Sequence, residues 1–152
     1  MAKNYTISSQ ENVTLITFHT LPSDLQLVAH IFEEFARRDL NIDMISQTAP
    51  FSGILNISFT TQSERLRDIL EITGVFSKEY TQIKPLVNSG NCKITISGDL
   101  MKTTCGVAAR VFSLLGEENI DVLLVTTAET EISLLVPQTQ LFQVQNLLEE
   151  NL

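Results

Sequence analysis

The sequence contains few of the residues that metal sites and disulfide frameworks require. It has two cysteines and two histidines in 152 residues. Cys92 and Cys105 are too few for a disulfide framework, and we expect both to be reduced, packed thiols. His19 and His30 fall outside any metal-ligand spacing, so we expect structural or surface roles for them and no metal site.

Glycine is also sparse, and each of the six glycines is isolated, so the sequence has no glycine-rich phosphate-binding loop. No nucleophile elbow or catalytic triad order can be found either. The carboxylates are numerous, but they fall on the polar sides of helical patterns, where solvation is their usual role. We therefore expect no catalytic residue and no cofactor.

Basic residues are outnumbered, with 10 lysines and arginines against 18 aspartates and glutamates and a net charge of -8. Such a surface repels phosphate backbones, so no nucleic-acid partner is expected. No apolar run approaches the ~18 residues of a membrane span. The N-terminus lacks the apolar core of a signal peptide. The expectation is a cytoplasmic protein with no membrane partner.

What the sequence does contain is one order of strand and helix patterns that occurs twice. In the first half, strand patterns cover 13–19, 40–48, 54–60 and 80–87. One helical pattern begins at Pro22–Ser23. A second spans 62–73, with Gly74 as its expected C-cap. Asn88–Asn91 is rich in turn residues and predicts a boundary. In the second half, strands are predicted at 93–97, 120–127 and 131–136, and helices at 103–118 and 138–149.

The two halves align with each other, although not in the register that the repeated letters NID at 41–43 and 119–121 suggest. The first helices align at a spacing of 80, which pairs Phe32 with Phe112. The segment NISF at 56–59 matches EISL at 131–134, at a spacing of 75. The first hairpin therefore carries five extra residues, in the loop around 48–53.

The second half ends on a helix with no strand after it, whereas Asn4–Ser8 alternates like a strand ahead of the first half. The simplest solution is that this N-terminal strand completes the second unit. The predicted fold class is therefore α+β, with two interlocked ferredoxin-like βαββαβ units. The first covers residues 11–88, and the second covers 89–152 plus 4–9.

Several segments resemble one known family. ISGDLMKTTCGVAARVF at 96–112, TTAETEIS at 126–133 and AHIFEEFARRDLNIDMISQ at 29–47 are similar to the paired ACT domains at the C-terminus of aspartate kinases. The resemblance covers residues 5–150. In that family the kinase domain precedes this region, and no such domain is in this sequence. The resemblance implies a regulatory module without enzyme activity, sensing a free amino acid, typically lysine or threonine.

The resemblance also implies where such an effector is held. Carried over residue by residue, the ligand-binding positions are Leu21, Ser23, Gln26, Leu27 and Val28 in the loop entering the first helix, Asn41, Asp43 and Gln47 on the second strand, and Asp121 and Val122 in the second unit. The loop departs from the family pattern: Ser23 replaces an aspartate and Gln26 a glycine. It is therefore either retuned to another ligand or no longer functional.

Simpler roles stay open for some of these positions. Ser23 could be a helix N-cap, Asn41 and Asp43 could be solvent-facing strand residues, and Gln47 could merely end a hairpin.

Four functions also stay open. The first is an amino-acid sensor that acts as a homodimer through the edges of its ACT sheets. The second is a ligand-free interaction subunit that binds the catalytic subunit of an aspartate kinase through the same edges. The third is a regulatory fragment of a full aspartate kinase. An independent enzyme is the fourth and least supported interpretation.

Overall fold

The computed structural model describes residues 3–62 and 65–152. The elements in chain order are β1 (Thr6–Pro22), α1 (Leu25–Arg37), β2 (Ile45–Gln47), β3 (Ile54–Gln62), α2 (Leu66–Glu79), β4 (Lys84–Ser97), α3 (Val107–Glu117), β5 (Leu124–Ala128), β6 (Glu131–Pro137) and α4 (Leu141–Asn151). Short 3₁₀ turns at Asp99–Lys102 and Gln138–Gln140 precede α3 and α4. The predicted α+β class with βαββαβ order is confirmed.

The chain divides into two compact units. The first unit is Asn12–Ser89, and the second combines the N-terminal residues up to Glu11 with Gly90–Leu152. In the first unit the strands lie in the order β2-β3-β1-β4, and in the second in the order β1-β4-β6-β5. Strands β1 and β4 are long enough to contribute residues to both units.

The first unit has an aromatic core. Helix α1 forms because Leu27, Val28, Ile31 and Phe35 recur at helical spacing and are all buried. The helix packs on the central strands, whose register places Ile16 opposite Phe59. The Phe59 ring lies 6.2 Å from that of Phe18, 5.2 Å from that of Phe32 and 5.1 Å from that of Phe35, between ring centroids.

Charged side chains join the ends of α1 and α2. Arg38 donates to the carboxylates of Asp68 at 3.0 Å and Glu71 at 2.6 Å, and Arg65 donates to Asp68 at 2.8 Å. The hydrogen bond from Arg65 lowers the pKa of Asp68, and the one from Arg38 lowers the pKa of Glu71. Because this cluster is solvated, we assign it a positioning role and little stability.

The second unit has an aliphatic core that draws on both ends of the chain. Strands β4 and β6 pair with Ile94 opposite Leu134, and helices α3 and α4 bury Val111, Leu115, Val144 and Leu148 against them. Tyr5 and Ile7 also pack against this core. A Cβ at Gly98 would lie 2.6 Å from the Asn4 carbonyl oxygen, so only glycine allows the N-terminal segment to approach this closely.

One predicted helix end and one predicted turn are wrong. Gly74 is not a C-cap but lies inside α2, which continues to Glu79 because Phe76, buried in the core, anchors its last turns. Asn88–Asn91 is not a turn, since β4 runs through it without a break. Gly90, at φ 76°, absorbs the local irregularity, and Asn91 is buried.

The predicted strand over 40–48 is also much shorter, because only Ile45–Gln47 pairs regularly with β3. The loop between β2 and β3 runs from Thr48 to Gly53, whereas the loop between β5 and β6 has only two residues, Glu129 and Thr130. The extra residues of the first hairpin thus lie in the loop that the internal alignment indicated.

The cysteines are both free, but only one is packed. Cys92 is buried in the core of the second unit, and burial raises the pKa of its thiol to about 11. This thiol is therefore protonated near neutral pH and is a poor nucleophile. Cys105 is exposed, so the prediction of two packed thiols is wrong for this residue, which lies in the loop before α3.

Candidate functional site

The loop between β1 and α1 is tied to the first hairpin. Pro22 is paired with Ile54, and the N–H of Ser23 donates to the carbonyl of Gly53 at 2.9 Å. These contacts hold the loop at the end of the sheet where β3 begins. The side chains of Ser23 and Gln26 are exposed there.

Asp24, rather than Ser23, caps helix α1. Its carboxylate accepts the N–H of Gln26 at 2.9 Å. Its carbonyl accepts the N–H of Leu27 at 3.1 Å and that of Val28 at 3.2 Å. The N–H groups of Gln26 and Leu27, which could have met a ligand carboxylate, are therefore both engaged by Asp24. The sequence carried a signal for this, because aspartate is as good an N-cap as serine and stands next to the first helical residue.

Three of the loop positions have their side chains in the core. Leu21, Leu27 and Val28 are 0%, 6% and 5% exposed and belong to the core of the first unit. Their side chains cannot meet a ligand, which leaves only their backbone groups. In this loop, Ser23 and Gln26 are thus the predicted site residues that present side chains to solvent.

The predicted strand residues form a separate polar row on and just before β2. Asn41, Asp43 and Gln47 are all exposed. Asp43 donates its N–H to the carbonyl of Thr60 at 3.0 Å, and Gln47 lies opposite Ile57. Side chains two apart on a strand share a face, so Asp43 and Gln47 flank the half-exposed Ile45. This row offers a carboxylate and an amide to a small polar ligand.

The loop and Asp43 lie at different levels of the sheet. Asp43 is level with Thr60, whereas the loop starts at Pro22, level with Ile54. Six residues of strand separate these two levels, which corresponds to about 20 Å along the strands at ~3.3 Å per residue. Strands β2 and β1 are also two strand spacings apart across the sheet, at ~4.8 Å each, so the full distance is larger. One free amino acid cannot reach both groups within a single unit. Gln47 lies between them, about 10 Å along the sheet from the loop level.

The second unit places its two predicted residues just before β5. Asp121 is exposed, and its N–H donates to the side-chain oxygen of Gln140 at 3.2 Å. Val122 is half-buried and packs against the core of the second unit. The sequence did not predict this contact of Gln140, because a glutamine in a turn belongs to no motif that indicates a hydrogen bond to a residue 19 positions earlier.

Other kinds of site find no support in the part of the chain that the structure describes. Within residues 3–62 and 65–152, no three histidine, cysteine, aspartate or glutamate side chains are grouped so that they could hold a metal ion. In the same ranges, no helix has the length and apolar character needed to cross a membrane.

The cap of α1 leads to a first prediction. Replacing Asp24 by alanine is expected to lower the free energy of unfolding by about 1 kcal/mol, because the Gln26 N–H loses its acceptor. Replacing Ser23 by alanine removes the alternative cap and should change stability by less than about 0.5 kcal/mol. Urea denaturation of both variants measures the difference, and equal losses would contradict the assignment.

The protein resembles known proteins both in sequence and in fold. The family model of the ACT domain matches residues 94–152. An aspartokinase from Geobacillus stearothermophilus is 32% identical over 132 residues, which is 87% of this chain and 31% of that protein. The chain spans about a third of the length of the curated relatives it matches.

Two solved structures share the fold. The regulatory subunit of aspartate kinase from Thermus thermophilus, in its ligand-free form, superposes with a TM-score of 0.85 at 20% identity, over 98% of this chain and 99% of that one. Aspartokinase III of E. coli in complex with lysine and aspartate has a TM-score of 0.68 at 21% identity, over 95% of this chain and 32% of that one.

The family match covers most of the second unit, and the fold likeness covers both units. The ACT match covers the strands and helices of the second unit from β4 onward. The first unit repeats the same order of elements, and the structural neighbours include both units. The chain therefore contains an ACT domain and resembles the C-terminal regulatory region of aspartate kinases.

Proposed function

We propose that this protein is an allosteric sensor that binds a free amino acid, with lysine and threonine as the first candidates, and regulates an aspartate kinase. The observation that carries this proposal is the exposed polar row of Asn41, Asp43 and Gln47 at the edge strand β2. A carboxylate suits an ammonium group, and an amide can serve either end of a zwitterion. The shared fold with an aspartokinase that binds lysine supports the choice of ligand.

The site is completed by a second copy of the chain. Within one unit, the loop and Asp43 are about 20 Å apart along the sheet, so they serve one ligand only if another unit supplies the opposite half. Strands β2 and β5 lie at the ends of the strand order, where backbone groups are open to pairing with another sheet. A homodimer through these edges would bring polar rows together, and a ligand held there would favour one dimer arrangement.

Ligand binding is tested by a thermal-shift panel of the twenty free amino acids, followed by titration calorimetry. A selective ligand at 100 times its dissociation constant should add about 2.7 kcal/mol of stability. Asp43→Ala and Gln47→Ala should each abolish this gain. Glu33→Ala is the matched control, since it removes an exposed carboxylate from α1 of the same unit and should keep full binding.

Light scattering on the same samples should report a dimer. A monomer at high concentration that still binds the ligand would contradict the two-copy site. An affinity for lysine or threonine that is unchanged in Asp43→Ala and Gln47→Ala would contradict the placement at β2.

A second function is favoured by the state of the loop. Asp24 engages the donors at the start of α1, and Gln26 adds a side chain where the family has glycine. Both features suit a subunit that binds an aspartate kinase without an effector of its own. No shift with any amino acid, together with direct binding to the organism's purified aspartate kinase, would establish this function in place of the first.

The chain could also be the regulatory part of a longer aspartate kinase, because it spans about a third of its curated relatives. The reading frame upstream of Met1 in the genome distinguishes this case. The ligand site proposed above is the same in either case.

A further inference from the structure

The second unit contains a cavity that none of the predicted site residues lines. Its volume is about 220 Å³, and it lies between the first residues of the chain and the last turns of α4. Its walls are formed by Lys3, Tyr5, Thr6, Ile7, Leu148, Glu149 and Leu152. At ~30 Å³ per water, the cavity has room for about seven waters. A ligand of this size is a single small metabolite and not a nucleotide.

The lining combines an apolar interior with two opposite charges. Tyr5 and Ile7 supply apolar surface, and the fully buried Leu148 belongs to the core behind it. Lys3 contributes an ammonium group, and Glu149 contributes a carboxylate. A ligand that matches this wall carries an anionic group, a cationic group and an apolar body.

Local structure holds the acidic side of the cavity in place. Gln145, one turn earlier on α4, donates its amide N–H to the carboxylate of Glu149 at 3.3 Å. Glu149 also lies in the last turn of α4, where the carbonyl groups of the helix carry partial negative charge. The carboxylate and the helix end make this side a favourable place for an ammonium group.

The other wall is held by close packing. Gly98 lies so near the N-terminal segment that a Cβ there would be 2.8 Å from the Tyr5 ring. The Tyr5 ring therefore lies directly against Gly98 at the end of β4, and it packs on the core of the second unit. The apolar wall that Tyr5 and Ile7 form is thus part of the folded unit.

We propose that this cavity is a second ligand site, which takes a free amino acid with an apolar side chain. Glu149 and the end of α4 bind its ammonium group, Lys3 binds its carboxylate, and Tyr5 and Ile7 contact its side chain. The site shares no residue with the polar row at β2, so it does not depend on the function proposed above. The protein would then respond to two amino acids of different character.

The test uses the full chain with leucine as the probe, by titration calorimetry and by ¹H–¹⁵N correlation spectra at low ionic strength. Leucine is expected to shift the amide signals of residues 3–7 and 145–152. Leucine amide lacks the carboxylate, and 4-methylpentanoate lacks the ammonium group. Each should bind at least about tenfold more weakly, because each loses a hydrogen bond to a charged partner.

Variants locate the site. Glu149→Gln is expected to weaken leucine binding at least about tenfold, whereas Glu150→Gln, which removes the neighbouring exposed carboxylate of the same helix, should leave it unchanged. Asp43→Ala should also leave leucine binding unchanged, which separates this site from the one at β2. Both glutamates lie on the surface, so circular dichroism should show native folding for each variant.

Three outcomes would overturn the proposal. The first is the absence of heat and of spectral change with leucine, isoleucine or phenylalanine up to saturating concentration. The second is a set of spectral changes confined to residues outside 3–7 and 145–152. The third is an equal effect of Glu149→Gln and Glu150→Gln on leucine binding.

Discussion

Replacing Phe59 by alanine is expected to lower the free energy of unfolding by about 4–5 kcal/mol, the upper part of the range for large-to-small core substitutions. Phe59 is fully buried on β3 and contacts the rings of Phe18, Phe32 and Phe35. The substitution therefore leaves a cavity and also removes three aromatic pairs, each of which contributes about 0.5–1.5 kcal/mol beyond its buried area. Urea denaturation measures the effect as a shift in midpoint.

The control for this substitution is Phe142→Ala. Phe142 is 76% exposed on α4, so its loss should change stability by less than about 0.5 kcal/mol. A loss below about 2 kcal/mol for Phe59→Ala would mean that the surrounding rings collapse into the space. The aromatic cluster would then not be the centre of the first unit's core.

Removing residues 1–10 is expected to destabilise the second unit by at least about 4 kcal/mol. Tyr5 and Ile7 pack against its core, and each half-buried side chain contributes about 1–2 kcal/mol. The deleted part of β1 also forms hydrogen bonds in the sheet, at a net ~0.5–1.5 kcal/mol each. Since whole domains are stable by about 5–15 kcal/mol, this loss brings the second unit close to unfolding.

Hydrogen exchange distinguishes the two units in this experiment. The amides of Ile94 and Leu134 should exchange much faster after the deletion, while those of Ile16 and Phe59 in the first unit change less. Ser8→Ala and Ser9→Ala are controls, since both replace exposed residues of the same segment without shortening it. Equal loss of protection in both units would contradict the assignment of the N-terminal residues to the second core.

Most helix and strand positions could be predicted from the sequence because they follow from local periodicity. The apolar spacing of Ile31 and Phe35, or of Val111 and Leu115, is sufficient to predict a helix with one buried face. The predictions that failed concern single residues with strong local preferences. Gly74 and the turn residues of Asn88–Asn91 were overridden by packing of their neighbours, which no local rule takes into account.

The candidate site could also be predicted only in part, because its geometry depends on packing between distant residues. The resemblance placed Leu21, Asp43 and Gln47 in one site, and the sequence supplied their residue types. It could not show that the Leu21 side chain is in the core, or that Asp43 lies about 20 Å along the sheet from the loop. Those facts depend on how β1, β2 and β3 are paired, which involves residues 10 to 49 positions apart.

The sequence by itself determined the repeated βαββαβ order, the longer first hairpin and the absence of catalytic motifs, because these are properties of neighbouring residues. Only the tertiary structure decided that Asp24 caps α1, that the loop and Asp43 are separated, and that Lys3 and Glu149 line one cavity. Strand register and the proximity of the two chain ends arise from contacts between residues distant in sequence. Local sequence patterns therefore do not predict them.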